Sequence, residues 1–379
     1  MSVLVVAVVL TALVFDFTNG FHDTANAMAT SIATGALRPK VAVLLAGALN
    51  LVGAFLSVEV ARTISGGLVN EAKITPVVIF GGLVGAILWN LLTWLLSLPS
   101  SSSHALFGGL IGATWVYAGS GAIQFSSVAS KVLLPLVLSP VVAGAVALAA
   151  TVVLYRIARR VEQRTMTAFF RRTQVVSASM VALSHGTNDA QKTMGVITLT
   201  LVTVGVLPAS ADPPLWVIAS CAVAIASGTA LGGWRIIRTL GRRISDIQSP
   251  QGFVAETSTT AVILTSSHLG FPLSTTQVAT GSIFGASAGR RQATVQWGVA
   301  RRMALAWLLT LPAAAGIGAL ATQLAASGTS GTVAVGVLAA AIALAIYGAS
   351  RRRPVTGENV NDVPAPVTVL ETAPADRAA

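Results

Sequence analysis

Cysteine is almost absent: Cys221 stands alone in 379 residues, so no intramolecular disulfide can form and no zinc-type Cys/His spacing exists. Charge is scarce as well. Only 10% of residues are Asp, Glu, Lys or Arg, and the acidic side chains number 13 against 24 basic ones. Soluble domains carry about 25% charged residues, so this chain cannot clothe a water-facing surface. No glycine-rich phosphate loop and no nucleophile elbow is present. Those absences exclude nucleotide-driven and serine-nucleophile chemistry, and the chain is read as a non-enzyme with no catalytic residue, resident metal or cofactor.

What is present is apolar. The chain is 54% hydrophobic with a mean hydropathy of +0.77, which marks a multi-pass protein of the lipid bilayer. The net charge of +11 is no nucleic-acid footprint, because the basic residues sit in short clusters between apolar runs. That is the distribution the positive-inside rule produces. With the N-terminus outside, every strongly basic cluster falls on the cytoplasmic side, and so does the C-terminus. Val3–Phe15 has the length of a secretory leader, but no basic residue precedes it, and Met1 is taken as the start of the mature chain.

Two motifs occur twice, in the same order. Gly20-Phe21-His22-Asp23-Thr24-Ala25-Asn26-Ala27-Met28 is echoed by Gly186-Thr187-Asn188-Asp189-Ala190-Gln191-Lys192-Thr193-Met194. Pro99-Ser100-Ser101-Ser102-Ser103-His104 is echoed by Pro272-Leu273-Ser274-Thr275-Thr276-Gln277, and glycines follow at matched places, Gly108/Gly112 and Gly281/Gly285. The chain therefore divides into a first transmembrane repeat (1–155), an arginine-rich cytoplasmic connector (156–172), a second transmembrane repeat (173–350) and a disordered Pro/Ala-rich tail (351–379). A membrane helix needs about 20 apolar residues. Val3–Leu37 and Thr173–Leu207 are longer and carry an aspartate motif inside, so each predicts two short helices around an unwound joint. Five spans before the connector and six after it make the second copy enter from the opposite side. The fold class is all-α, with two inverted-topology repeats of about five to six spans each and discontinuous or re-entrant helices, as in secondary transporters.

Each motif has a chemistry. Hydroxyl side chains just before an apolar helix sit at its N-terminus, where unpaired N–H groups and the positive end of the dipole favour an oxyanion. Ser101, Ser102, Ser103, Ser274, Thr275 and Thr276 are the candidate anion ligands, with Asn26, Asn188 and Lys192 beside them. Capping explains the same hydroxyls without any ligand, and the glycines are packing positions. Asp23 and Asp189 repel an anion, so they are candidate ligands of a coupling cation or acceptors of a proton. Asn26, Asn188 and the carbonyls of an unwound joint would complete an oxygen-rich site. Lys192 stands where the first repeat has Asn26. Its ammonium neutralises Asp189, replaces a monovalent cation or holds the anion. His104 and Glu256 are further coupling-ion candidates, Asp16 is a secondary one, and His22 and His268 read as scaffold.

At these four motifs the sequence resembles the inorganic phosphate transporter (PiT) family, bacterial low-affinity type. The resemblance implies a homodimeric plasma-membrane symporter that imports phosphate by alternating access. Lys192 resembles the proton-coupled bacterial members, which carry phosphate as a neutral complex with a divalent metal. Sodium coupling, a sulfate permease of the same family and a passive anion channel are the alternatives. Phosphate can donate a hydrogen bond to a carboxylate and sulfate cannot, which favours phosphate at Asp23 and Asp189.

Overall fold

In the computed structural model, residues 2–65, 74–209, 211–290 and 295–362 are described. Among them the chain is helical, with one isolated bridge between Ser245 and Val295. The first half comprises α1 (Val3–Ala33), α2 (Pro39–Gly53), α3 (Glu59–Ser65), α4 (Pro76–Leu95), α5 (Ser102–Ala118), the single turn α6 (Phe125–Val128) and α7 (Leu134–Ile157). The second half comprises α8 (Gln163–Thr203), α9 (Leu215–Leu231), α10 (Trp234–Arg238), α11 (Ser249–His268), α12 (Thr275–Ala288) and α13 (Trp297–Ala325), followed by α14 (Thr329–Ser350).

Among the described residues five helices, or six if α9 and its 57° bent continuation form one span, are long and apolar enough to cross a bilayer. The rest are shorter or more polar for a structural reason. α5 has 17 residues and α12 has 14, lengths of about 25 and 21 Å at 1.5 Å per residue, less than a hydrocarbon core. Each follows a tight turn after α4 or α11 whose motif residues are buried. The hairpins thus bring two helix N-termini into the interior.

The halves are inverted copies that interlock. Gly20 of α1 lies against the Ile225 carbonyl of α9, and its counterpart Gly186 of α8 lies against the Asn50 carbonyl of α2. A Cβ at either glycine would meet that oxygen at 2.2 and 2.3 Å respectively. The same exchange recurs further along. Gly108 and Gly112 of α5 pack on α13, and Gly281 and Gly285 of α12 pack on Pro140 and Gly144 of α7. Each repeat therefore finishes its packing on the other, so neither half has a core of its own. On the exposed side Arg62 of α3 donates to Asp212 at 2.6 and 2.9 Å and holds that carboxyl below the usual carboxylate range.

Three expectations are corrected. Neither α1 nor α8 is unwound: both run unbroken through their aspartate motifs, because hydroxyls at the starts of α5 and α12 reach both carboxylates without any opening of the backbone. The connector is short, since the second half of the arginine-rich stretch forms the first turns of α8 from Gln163. The tail is docked at its start. Arg238 donates to the Asn359 carbonyl and side chain, Arg242 donates to Asn361 at 3.2 Å, and Val360 is buried in the core. The remainder of the expected disordered tail lies outside the described residues.

Gly285→Ala is expected to lower stability by about 1–3 kcal/mol, because its Cβ has no room beside the α7 backbone. Gly316→Ala, in α13 with nothing within 4 Å, is expected to leave stability unchanged or raise it by about 0.5–1 kcal/mol. Thermal unfolding in detergent checks the pair; equal effects would remove the close-approach explanation.

Candidate functional site

The site forms where the interiors of α1 and α8 meet the N-termini of α5 and α12. Ser101 and Ser274 cap those helices through their side chains, accepting from the N–H groups of His104 at 3.2 Å and Gln277 at 3.3 Å. The hydroxyls that follow point at carboxylates. Ser102 donates to Asp23 Oδ2 at 2.7 Å, and its repeat counterpart Thr275 donates to Asp189 Oδ2 at 2.9 Å. Thr276 then crosses between repeats to Asp23 Oδ1 at 3.1 Å. Asn26 donates to Thr276 at 3.0 Å and Thr275 at 3.3 Å. Its counterpart Lys192 donates to Ser103, the counterpart of Thr276, at 2.6 Å. Ser102–Asp23 and Asn26–Thr276 are thus reproduced as Thr275–Asp189 and Lys192–Ser103, whereas the Thr276–Asp23 bond is not, since Ser103 donates to the Leu273 carbonyl at 3.3 Å.

The two carboxylates differ in what neutralises them. Lys192 bonds Asp189 directly and also donates to the Leu273 carbonyl at 2.9 Å. An ammonium has three protons, and all three are taken. His185 Nε2 stands 2.9 Å from the other Asp189 oxygen in ion-pair rather than hydrogen-bond alignment. Asp23 has no lysine; His22 Nδ1 lies 2.6 Å away, backed by Ser100 and Thr93 near its other nitrogen. Ligand atoms of Asp23, His185 and Asp189 all fall within 4.8 Å of one another, a set suited to a cation shared between the repeats. Asp23, Asp189, Lys192, Ser102 and Thr275 are at most 2% exposed, so the site is closed on both sides.

Its chemistry follows. The cap takes only one N–H of the first turn of α5 or α12, and the two before it have no acceptor within the helix. Two such ends beside an ammonium can receive an oxyanion. Of the hydroxyls that the sequence offered as anion ligands, Ser102, Thr275 and Thr276 serve the carboxylates, so an arriving anion must share or displace those bonds.

The structure brings together Asp23, Asn26, Asp189, Lys192, Ser102, Ser103, Thr275 and Thr276. Other candidates lie elsewhere. Asn188 donates to Ser267 at 2.8 Å rather than to a helix N-terminus. His104 turns to Ser101, with Nδ1 at 2.6 Å, and not to the carboxylates. Glu256 accepts from Thr30 at 2.6 Å, Gln174 at 3.0 Å and Ser177 at 2.5 Å, a separate buried cluster further along α1. His268 is exposed. Sequence reasoning missed the Leu273 carbonyl, which no side-chain pattern marks, and the closeness of His185 to Asp189, which the spacing of four residues on one helix could have signalled.

Comparisons with known proteins bear on the family and the fold. The phosphate transporter family matches residues 19–167 and 157–318. A Mycobacterium tuberculosis protein named "Probable low-affinity inorganic phosphate transporter" is 55% identical over 361 residues, covering 94% of this chain and 87% of its own length. A Bacillus subtilis protein of the same name is 42% identical over 325 residues, covering 84% of this chain and 96% of its own. A solved structure described as "The sodium-dependent phosphate transporter" superposes with a TM-score of 0.75 over 85% of this chain and 98% of that chain; at 22% identity it establishes the fold alone.

Lys192→Met is expected to destabilise the protein by about 3–5 kcal/mol, because it strands a buried carboxylate. Adding Asp189→Asn should recover most of the loss. Thermal unfolding of the two variants checks it, and a double variant no better than the single would show that the pair is not coupled.

Proposed function

Since the chain belongs to the phosphate transporter family, we propose that it is a proton-coupled symporter importing inorganic phosphate across the plasma membrane by alternating access. The observation that carries this reading is the meeting of two inverted helix N-termini with one carboxylate from each repeat. A tetrahedral anion held there is touched by both halves, so a rocking of one repeat against the other would open the site to either side in turn. On this reading the N-terminus lies outside, the C-terminus lies in the cytoplasm, and the protein is a homodimer.

Lys192 is the argument for protons. A sodium site on the second repeat would need the place its ammonium fills, between Asp189, Ser103 and the Leu273 carbonyl. The fixed charge acts as a built-in cation and leaves Asp23 as the carboxylate open to the mobile one. A divalent metal travelling with phosphate as cargo would find Asp23, His185 and Asp189 within reach of one centre. The carboxylates also favour phosphate over sulfate, because only a protonated oxyanion can donate to them. Sodium coupling is the second reading, favoured by the shared fold with a transporter described as sodium-dependent.

Labelled phosphate uptake into proteoliposomes, driven by a pH gradient or by a Na+ gradient with excess sulfate as competitor, tests the proposal. Uptake driven by the pH gradient and indifferent to sulfate is expected. Accumulation only with Na+ would discard proton coupling, strong sulfate inhibition would point to a sulfate permease, and equilibration without accumulation would make the protein a channel. Asp23→Asn and Asp189→Asn should each reduce uptake to background while the protein remains in the membrane. Lys192→Asn should change the driving-ion dependence.

A further inference from the structure

Four acidic side chains among the described residues are fully buried: Asp16, Asp23, Asp189 and Glu256. Three of them are well supplied with donors. Asp16 is the exception, because neither of its carboxylate oxygens has a hydrogen-bond partner. Nor can the nearby Lys192 supply one, since its three protons go to Asp189, Ser103 and Leu273. A carboxylate with no donor, in a helix that crosses lipid, is among the costliest groups a protein can bury.

Its neighbours are unsatisfied too. Asn19, one turn along the same face of α1, has both amide atoms unpartnered, and the hydroxyl of Thr193 on α8, the potential donor beside Asp16, falls short of hydrogen-bond geometry. All three side chains are at most 1% exposed. Carboxylate, amide and hydroxyl oxygens are the donor set of a small hard cation. The pocket also has no twin. The counterparts of Asp16 and Thr193 in the other repeat are Ala182 and Ala27, and only Asn19 has a polar counterpart, His185, so the carboxylate and the hydroxyl occur on one side of the pseudo-twofold only.

Its position suits a role in ion entry. Asp16, Asp23 and Thr30, the last a donor to Glu256, follow one another at heptad spacing on one face of α1. That is two helical turns, about 10 Å, between tiers. We propose that Asp16, Asn19 and Thr193 form a binding site for a small hard monovalent cation, Na+ or a proton, on the side of Asp23 from which α1 begins. The site passes its ion to the central carboxylates. Its place in transport rests on the symport reading; its occupancy does not. The titratable groups that face it are Asp189 and Lys192 from α8 and Cys221 from α9, and α4 contributes none.

The test begins without phosphate, on the purified full chain in detergent. Thermal stability is followed while NaCl replaces choline chloride at constant ionic strength, and the infrared band of protonated carboxyl groups is followed against pH. The wild type should give a saturable Na+ shift if the ion is sodium, or a titrating carboxyl band if it is a proton. Asp16→Asn should abolish that signal. Thr193→Val, which removes one oxygen and keeps the shape, should weaken it by roughly threefold. In proteoliposomes Asp16→Asn should raise the driving-ion concentration for half-maximal uptake by about tenfold, the loss expected when a charged ligand becomes neutral. Unchanged signals in both variants, or no ion dependence in the wild type, overturn the proposal and leave the pocket to a bound water. If the wild type binds the ion but takes up no phosphate, the symport reading fails and the cation site stands.

Discussion

Burying two carboxylates, one from each half, where no water can reach them is the constraint on which this architecture depends. A charged oxygen in lipid needs donors, and the cheapest donors are hydroxyls already fixed in place. A helix that begins inside the protein supplies them: its capping residue orders the first turn, and the next two side chains are aimed as a consequence. Ser101 and Ser274 do the first task; Ser102, Thr275 and Thr276 do the second. The hairpins, the short α5 and α12 and the glycines that let them approach α13 and α7 all serve to deliver those starts to one point.

The pseudo-symmetry explains why the contacts come in pairs, and its breaks indicate where the halves have divided their work. Asn26 and Lys192 occupy matched positions and touch matched hydroxyls, yet only one carries charge. Asp189 is thereby permanently neutralised, whereas Asp23 has only a histidine beside it. Asp16 and Glu256 break the symmetry again, each facing a polar pocket that the other repeat lacks. The asymmetric groups form tiers along α1, above, at and below the paired centre.

Much of this was legible in the sequence because it is local. A proline followed by hydroxyls before an apolar run is a helix start in any context, and repetition of two motifs in order exposes the inverted repeat. Partners distant in the chain were not legible. The sequence suggested unwound joints at Asp23 and Asp189; beside the local partners His22 and Lys192, hydroxyl donors arrive from more than seventy residues away and the helices stay intact. For the same reason the tail read as disordered, although Asn359 and Val360 find partners on α10 and in the core. Asp16 and Glu256 looked alike as buried acids. Only the fold separates them, giving one three donors and the other none.

The charges at the centre also constrain the order of events. Asp23 and Asp189 face one permanently charged cation, Lys192, so the closed site holds one carboxylate charge in excess of its fixed cation. A phosphate anion arriving first would meet that charge in a medium that screens it poorly, and it would compete for hydroxyls already bound to carboxylates. A cation or proton on Asp23 removes both obstacles at once: it cancels the excess charge and frees Ser102 and Thr276 to turn toward the anion. On the symport reading, cation before anion is therefore the favourable sequence of binding. The same energetics hold the anion back from an uncharged carrier's return, because losing the cation restores the repulsion. On that reading coupling would need no separate latch; it would follow from one more buried carboxylate than fixed cation.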